Sequence, residues 1–492
     1  MSYVIGVDVG SQSVKGVLMD PDGRAVATAG HPLEMLHPAA GWAEQDPAAW
    51  CDGVAHVVRS LISAESLPAG AVTYLGLASQ VDGVVPVDAD LRALRPGIIW
   101  LDRRAAGQAF ELAERIGADR IFATTGLNVD ASHIAPKIAW LRDEEPDVFS
   151  SSRAFPPVGG YLLAWLTGAM AQDPANASST MLYDPVASAF DAALVEAVGI
   201  DLDRLAEVRP STEVAGRLTA AAADRLGLST SCQVIVGTGD EHAACVGAGA
   251  LFEGIVADVS GTAEPVAVTS FRPVFDPERV VETHAHALAG RLLVENPGFV
   301  SGGSTLWCAR SILGIGQSEL FGEAALAPPG ADGVLFLPTL SGATAPRWND
   351  RMRAAFAGLG MTHERRHLAR AVLEGCTFAL ADIVGRLEAL GLAGEEIRVV
   401  GGGARSPLWL QIKADVTGRC VRPVLAEEPT AHGAAMLAGL ASGTFADIDD
   451  AVERAVELAS EPFVPDPSAQ AVYEERYGEY RALFDGVEGA LA

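Results

Sequence analysis

Two stretches in opposite halves of the chain are built alike, and their repetition narrows the folds available to it. Near the start, an apolar run from Tyr3 to Val7 leads into Asp8-Val9-Gly10-Ser11. At the middle, Ile255 to Ala257 leads into Asp258-Val259-Ser260-Gly261-Thr262. Each strand-type run delivers a carboxylate, then small residues whose backbone N–H groups can face an anion. A third turn, Gly401-Gly402-Gly403-Ala404, follows the run Ile397 to Val400 and leads into a helix. The pattern suggests two related halves facing a cleft, the first two turns gripping phosphates from opposite sides and the third holding a nucleoside.

A chain of 492 residues exceeds what one hydrophobic core usually serves, so two large domains are expected. The Gly/Ala stretch at 246–254 (Gly247, Gly249, Gly254) reads as a hinge and sets the domains at 1–245 and 246–492. The formal charge is 35 − 63 = −28, which disfavours nucleic acid and anionic membranes as partners. An acidic protein that binds a polyphosphate must build its anion site locally. Lysine occurs only as Lys15, Lys137 and Lys413, so each is worth placing. The six cysteines are widely spaced without a C-x-x-C, as in a reduced, cytoplasmic protein. The N-terminus lacks a secretory pattern, and no run of about 18 apolar residues predicts a membrane span.

Along the chain, strands are predicted at 3–9 and 14–19, with a third after the turn Asp20-Pro21-Asp22-Gly23. Asp46-Pro47 opens a helix, aspartate as N-cap and proline in the first turn. Strands are expected at 73–78, 84–87 and 97–101, then a helix from about Asp102 to Ile116. The second half offers helices at 363–390, from Pro407, from Thr430 to Leu440, and beyond 465. This is an α/β order, though not simple βαβ alternation.

Several motifs invite chemistry. Asp8-Val9-Gly10-Ser11-Gln12-Ser13-Val14-Lys15 places a carboxylate, two hydroxyls and a cation around one turn. That set suits hydrated Mg²⁺ and phosphate, although an ordinary hairpin turn would look the same. The P-loop and Rossmann glycine patterns are absent. Asp240 and Glu241 follow Gly237-Thr238-Gly239 and precede an apolar helix; Asp240 is either a proton acceptor or a plain N-cap. His363-Glu364-Arg365-Arg366-His367 matches H-E-x-x-H, but two arginines between the histidines would repel a metal, so a polar first helical turn is expected. His284 and His286 share a strand face without an obvious third ligand, which points to structural roles.

The combination resembles the FGGY carbohydrate kinases of the actin-like ATPase superfamily, over nearly the whole chain. Ala354-x-Phe356-x-Gly358-Leu359, His367-Leu368 and Ala371-Val372-Leu373-Glu374 are similar to the family's second signature. Lys137-Ile138-Ala139-Trp140-Leu141 resembles the core of the first, with Ile134 at a position usually small or proline. Gly402-Gly403-Ala404-Arg405-Ser406-Pro407-Leu408-Trp409 is similar to the adenosine-binding loop. The resemblance implies two actin-like (ribonuclease H-like) α/β ATPase domains with a central cleft. It implies Asp240 as catalytic base, Asp8 and Asp240 at Mg²⁺, and Gly10, Ser11, Gln12, Ser13 and Lys15 at the nucleotide phosphates. Gly261 and Thr262 would hold the phosphates from the other domain, and Gly302, Leu306, Gly402, Gly403, Ala404 and Pro407 the rest of ATP.

For the sugar, Gln80-Val81-Asp82-Gly83 lies where xylulose kinases carry Gln-Met-His-Gly, so Asp82 replaces a histidine. Glu241 follows Asp240 where Gln or Asn is usual, and Trp100-Leu101-Asp102-x-Arg104 keeps the family's Trp-x-Asp-x-Arg pattern. Extra carboxylates would bind hydroxyls and repel a sugar acid. The implied acceptor is therefore a neutral ketose, D-xylulose first, with another pentulose, a tetritol or a pentitol as alternatives. A non-catalytic ATP-binding member of the superfamily is the rival reading, and a homodimer stays open because dimers are common among relatives.

Overall fold

The repeated strand–turn starts become the centres of two sheets with one pattern. The computed structural model describes residues 2–299, 301–340, 342–343, 349 and 351–491. In the first half, β1 (Tyr3–Val9), β2 (Ser13–Met19) and β3 (Ala25–Pro32) form an antiparallel meander, followed by α1 (Pro47–Ala64) and β4 (Val72–Ser79). β4 lies parallel to β1, with Val9 opposite Ser79. β5 (Val214–Arg217) and β6 (Gln233–Ile235) extend the sheet beyond β4, and Thr238–Gly239 also pairs with β4. In the second half, β7 (Ile255–Ser260), β8 (Glu264–Ser270), β9 (Glu282–Ala285) and β10 (Leu292–Phe299) are joined by β11 (Glu396–Gly401) and β12 (Cys420–Pro423). Their order is β9-β10-β8-β7-β11-β12. β7 pairs antiparallel with β8 and parallel with β11, Ser260 opposite Gly401. Both sheets therefore place a turn beside the end of a central parallel strand, where α/β proteins place ligands.

Two helices make the layer between the sheets. α2 (Asp240–Gly247) leaves the first half, and α3 (Pro429–Ser442) comes from near the end of the second. α3 lies on β1, β2 and β4, while α2 packs on α3, β4 and β7. The contact is backbone to backbone. A Cβ on Gly433 would sit 1.9 Å from the Ala243 carbonyl oxygen, and one on Gly6 would sit 2.0 Å from that of Ala431. Only glycine permits such an approach. The expected divide at 245/246 falls in the last turn of α2, and the second-half helix α3 serves the first-half sheet.

The outer faces are covered by apolar stripes. Trp50, Val54, Val57, Val58 and Leu61 of α1 are buried against the first sheet. α4 (Arg365–Ala389) covers the second with Leu380, Ile383, Val384 and Leu387. The expected caps are present: Asp46 accepts from the Ala48 N–H, and Ser406 accepts from Trp409 at the start of α5 (Pro407–Thr417). Other expectations shrink. Residues 84–87 make only isolated bridges, 97–101 reduces to a strand over Gly97–Ile98, and the helix expected from Asp102 begins at Ala106. Pro86 and Pro96 remove ladder donors there, and Asp102 is drawn into side-chain bonds described below. The six cysteines are free thiols, and among the described residues no helix is long and apolar enough to cross a membrane.

The glycine seam generates a test. Gly433→Ala should lower the unfolding free energy by roughly 1–3 kcal/mol, as overpacking does; an unchanged denaturant midpoint would show that the helices separate freely.

Candidate active site

The first turn is closed by the Gly10 N–H donating to the Ser13 carbonyl oxygen at 3.1 Å and by Leu33 N–H donating to Gln12. Gly10 faces open space: a Cβ there would meet nothing nearer than 3.5 Å. Gln12 is exposed, and Ser11 and Ser13 are partly exposed. Across the ladder Lys15 stands opposite Asp8. Its ammonium pairs at 2.7 Å with Glu428, the residue before α3. Asp8 is buried with Oδ1 lacking a hydrogen-bond partner. Burial and then the nearby Asp240 carboxylate push its pKa well up, while Lys15 pulls it down.

Asp240 begins α2, where helical N–H groups face a carboxylate. Its Oδ1 accepts the Glu241 N–H at 2.9 Å. Burial lifts its pKa to about 6; backbone N–H groups, including those of Glu241 and Val81, oppose the rise and the Asp82 charge adds to it. Asp8, Val81, Asp82, Asp240 and Glu241 are thus brought together. The unpartnered Oδ1 of Asp8 and its repulsion with Asp240 fit a hydrated divalent cation held between the two.

Asp82 adopts a left-handed backbone (φ 61°), a conformation aspartate tolerates better than most side chains. Its carboxylate reaches His133 Nδ1 at 3.1 Å. Burial opposes charge on His133, but Asp82 carries its pKa up to about 9. Beneath this loop lies Lys137, fully buried. Its ammonium donates to the carbonyl oxygens of Asp82 (2.6 Å), Ile99 (2.9 Å) and Ser132. Burial lowers its pKa to about 8. One lysine therefore ties three loops together.

Gln80 is connected to the first turn. Its Nε2 donates to Gln45 Oε1 at 2.7 Å, and Gln45 Nε2 donates to the Ser11 carbonyl at 2.7 Å. Gln80 Oε1 remains buried without a partner. Asp102 and Arg104 are placed differently from expectation. Both side chains are fully buried and pair with each other, and Asp102 also accepts the Ala43 N–H at 2.6 Å. Arg104 bonds Glu44 and stacks on Trp42, 3.7 Å from the ring centre. This knot fixes the loop from Trp42 to Arg104 and consumes the Asp102 oxygens; only Arg104 Nη1 lacks a partner.

In the second half the parallel β7–β11 pair brings Gly261 and Thr262 beside Gly402, Gly403 and Ala404. Gly302, at the start of the helix Ser301–Trp307 that also carries Leu306, meets the second turn: a Cβ on Gly302 would lie 2.2 Å from the Gly261 carbonyl oxygen. A Cβ on Gly403 would lie 2.1 Å from Ser260 Oγ. Gly261, Thr262, Gly402 and Pro407 are exposed, and Leu306 and Ala404 partly so. Below the turn, Lys413 is fully buried between Asp258 (2.5 Å) and Glu264 (2.8 Å). Burial, then Glu264, pushes Asp258 up to about 8. Asp258 therefore does not mirror Asp8; it belongs to a packed triad.

The H-E-x-x-H run is a helix entry. His367 Nδ1 accepts the Glu364 N–H in a capping box, and Nε2 faces Asp332 at 3.1 Å. His284, however, is not isolated: His242 of α2 and Glu295 of β10 stand beside it, a grouping that strand-face reasoning missed. Gln45 and His133 carry no sequence signal as site residues, whereas Lys137 carries two, the scarcity of lysine and its place in the run that resembles the first family signature.

Duplicated sheets of this order, each with a turn at the end of its central parallel strand, form the framework of actin-like phosphotransferases. Family models described as the N-terminal and C-terminal domains of the FGGY family of carbohydrate kinases match residues 3–247 and 256–442. A xylulose kinase of Escherichia coli is 31% identical over 483 residues, covering 98% of each chain. A glycerol kinase of Aromatoleum aromaticum is 31% identical over 92% of each. The crystal structure of a xylulose kinase from Rhodospirillum rubrum superposes with TM-score 0.90 at 29% identity over 99% of each chain. The chain belongs to the FGGY family of carbohydrate kinases: it is an enzyme that phosphorylates an alcohol group.

Removing the Lys137 ammonium leaves three buried carbonyls without their donor. Lys137→Met should lower stability by on the order of 3 kcal/mol and raise KM for the acceptor more than KM for the nucleotide. Equal KM values would show that the Asp82 loop is positioned by something else.

Proposed function

We propose that this enzyme transfers the γ-phosphoryl group of ATP to a terminal primary hydroxyl of a neutral ketose, D-xylulose in the first instance. The observation that carries the reading is Asp240, partly accessible at a helix start and lifted by burial to a pKa of about 6. At neutral pH it is a carboxylate basic enough to take a hydroxyl proton as the acceptor oxygen bonds phosphorus and the bond to the ADP oxygen breaks. The Glu241 N–H aims it. Gly10 and Gly261, whose own N–H groups close their turns, let phosphate approach the neighbouring backbone N–H groups of Ser11, Gln12 and Thr262, with Ser13 beside them, and Gly402, Gly403, Ala404, Pro407, Gly302 and Leu306 flank the nucleoside end. Mg²⁺, when bound, offsets polyphosphate charge; Asp8 and Asp240 are the residues that would hold it. Gln80, Val81, Asp82 and Glu241 contact the sugar, and Asp102 with Arg104 fixes the loop beside them.

The acceptor's neutrality follows from charge. Five carboxyl groups crowd this region, and the Asp82 charge helps raise the pKa of Asp240, Glu241, Glu282 and Glu295, so a carboxylate-bearing sugar would be repelled. A second reading, a tetritol or pentitol acceptor, is favoured by the Asp82–His133 pair, which offers hydroxyl groups an acceptor beside a cationic donor.

Asp240→Asn should reduce kcat by about 10²–10⁴ while ATP still raises the melting temperature. In the parent enzyme, kcat/KM for the acceptor should fall as pH drops through about 6, because the protonated acid no longer accepts a proton. A flat profile across that range, or normal turnover by the asparagine variant, would remove Asp240 from the role. Among neutral ketoses, alditols and gluconate compared by ADP release, gluconate should be the poorest acceptor. Preference for it would overturn the charge argument.

A further inference from the structure

Behind Asp240 lies a group of buried ligand-type side chains, His242 from the same helix and His284 and Glu295 from the second sheet, to which phosphoryl transfer gives no role as ligand or base. One ligand atom each from His242, His284 and Glu295 can be chosen so that all three lie within 4.8 Å of one another. The three residues are 2%, 5% and 2% exposed, and the two imidazoles meet edge to face with centroids 5.8 Å apart. His284 Nε2 approaches Glu295 Oε1 to 3.0 Å, yet out of line for a hydrogen bond. Both nitrogens of His284, His242 Nδ1, Glu295 Oε2 and Glu241 Oε1 are buried without a hydrogen-bond partner.

Protein interiors rarely leave so many polar atoms unmatched in one place. The geometry gives these atoms a common direction: imidazole nitrogens of His242 and His284 and a carboxylate oxygen of Glu295 converge from a helix and two strands. Two imidazoles beside a buried carboxylate are the donor set of a borderline-soft divalent metal.

We propose that His242, His284 and Glu295, with Glu241 adjoining, form a binding site for a Zn²⁺-type transition-metal ion, separate from the Mg²⁺ position at Asp8 and Asp240. Two imidazoles and one carboxylate suit zinc and its neighbours rather than magnesium, which prefers oxygen ligands and keeps its waters. The ligands come from both halves of the chain, His242 from α2 and the other two from β9 and β10. A bound ion would therefore tie the helix carrying Asp240 to the second sheet. The inference does not depend on which sugar is phosphorylated.

The test is metal content and coordination in the full-length enzyme. After addition of Zn²⁺ and gel filtration in Mg²⁺ buffer, the parent protein should retain about one equivalent per chain by elemental mass spectrometry. Co²⁺ should give visible d–d bands typical of nitrogen–oxygen coordination, and Zn²⁺ should raise the melting temperature. His284→Ala or Glu295→Gln should weaken binding on the order of 100-fold or more, with Glu295→Gln as the milder change if the alanine variant does not fold. His363→Ala, which removes the partly exposed histidine of the H-E-x-x-H run, should leave binding unchanged. A parent protein that retains no zinc and gives no cobalt bands, or ligand variants that retain both, would overturn the site. Loss of binding in His363→Ala alone would move it elsewhere.

Discussion

The absence of side chains between two helices is the constraint from which the rest of the architecture follows. At Gly433 and Gly247 the backbones of α2 and α3 touch, and at Gly6 and Gly76 the backbone of α3 lies directly on the first sheet. This fixes α2 against both sheets, so the residue that starts it is held between them. Asp240 is placed by a helix whose position is set by contacts tighter than any side chain permits. The price is sequence intolerance at a few glycines rather than a larger core.

A second consequence concerns charge. Burying Asp240 near Asp8 and Asp82 raises the energy of every carboxylate in the group. The structure answers this with few cations: His133 faces Asp82, and Lys137 sits under the loop but spends its donors on carbonyl oxygens. The contrast with the triad below the second turn is instructive. There Asp258 and Glu264 share Lys413 at hydrogen-bond distance, so a cation sits in contact with both carboxylates even though Asp258 Oδ1 and Glu264 Oε2 have no further partner. Around Asp240 the unpartnered atoms of Asp8, Gln80, Glu241 and Glu295 lie in a group of carboxyls that repel one another. Carboxylates held by a buried lysine support a fold, whereas crowded ones without such a partner attract ligands.

Much of this was legible in the sequence because it depends on local chemistry. Turn residues after apolar runs gave β1–β2 and the strand-to-turn start of β7, and Asp46-Pro47 and Ser406-Pro407 marked helix starts; the hairpin partner β8 was not anticipated. The resemblance gathered Asp8, Val81, Asp82 and Asp240 into one place. What it did not give was the use of each side chain. Asp102 and Arg104 sit in the expected segment, yet their polar atoms turn toward Ala43, Glu44 and Trp42. Such partners lie about sixty positions away and have no periodicity. Likewise His242, His284 and Glu295 belong to three elements, and only the pairing of β9 with β10 and the packing of α2 bring them together. The local hint was His284 and His286 on one strand face, since polar residues at period two on a buried strand need partners.

The three lysines show how an acidic chain can receive a polyphosphate. None presents an unpaired ammonium: Lys15 is bound to Glu428, Lys137 to three carbonyls and Lys413 to two carboxylates. The cations sit one layer behind the surfaces that would meet phosphate, and there they hold turns and loops in shape. On the proposed reading the turns would offer the backbone N–H groups of Ser11, Gln12 and Thr262, those of Gly10 and Gly261 being spent on closing the turns, with the Asp8 and Asp240 carboxylates for a divalent ion. Neutral donors, with a divalent ion if Asp8 and Asp240 hold one, would bind a leaving phosphate less tenaciously than fixed ammonium groups. In a protein of net charge −28, the same arrangement would let the surrounding negative field assist release of an anionic product.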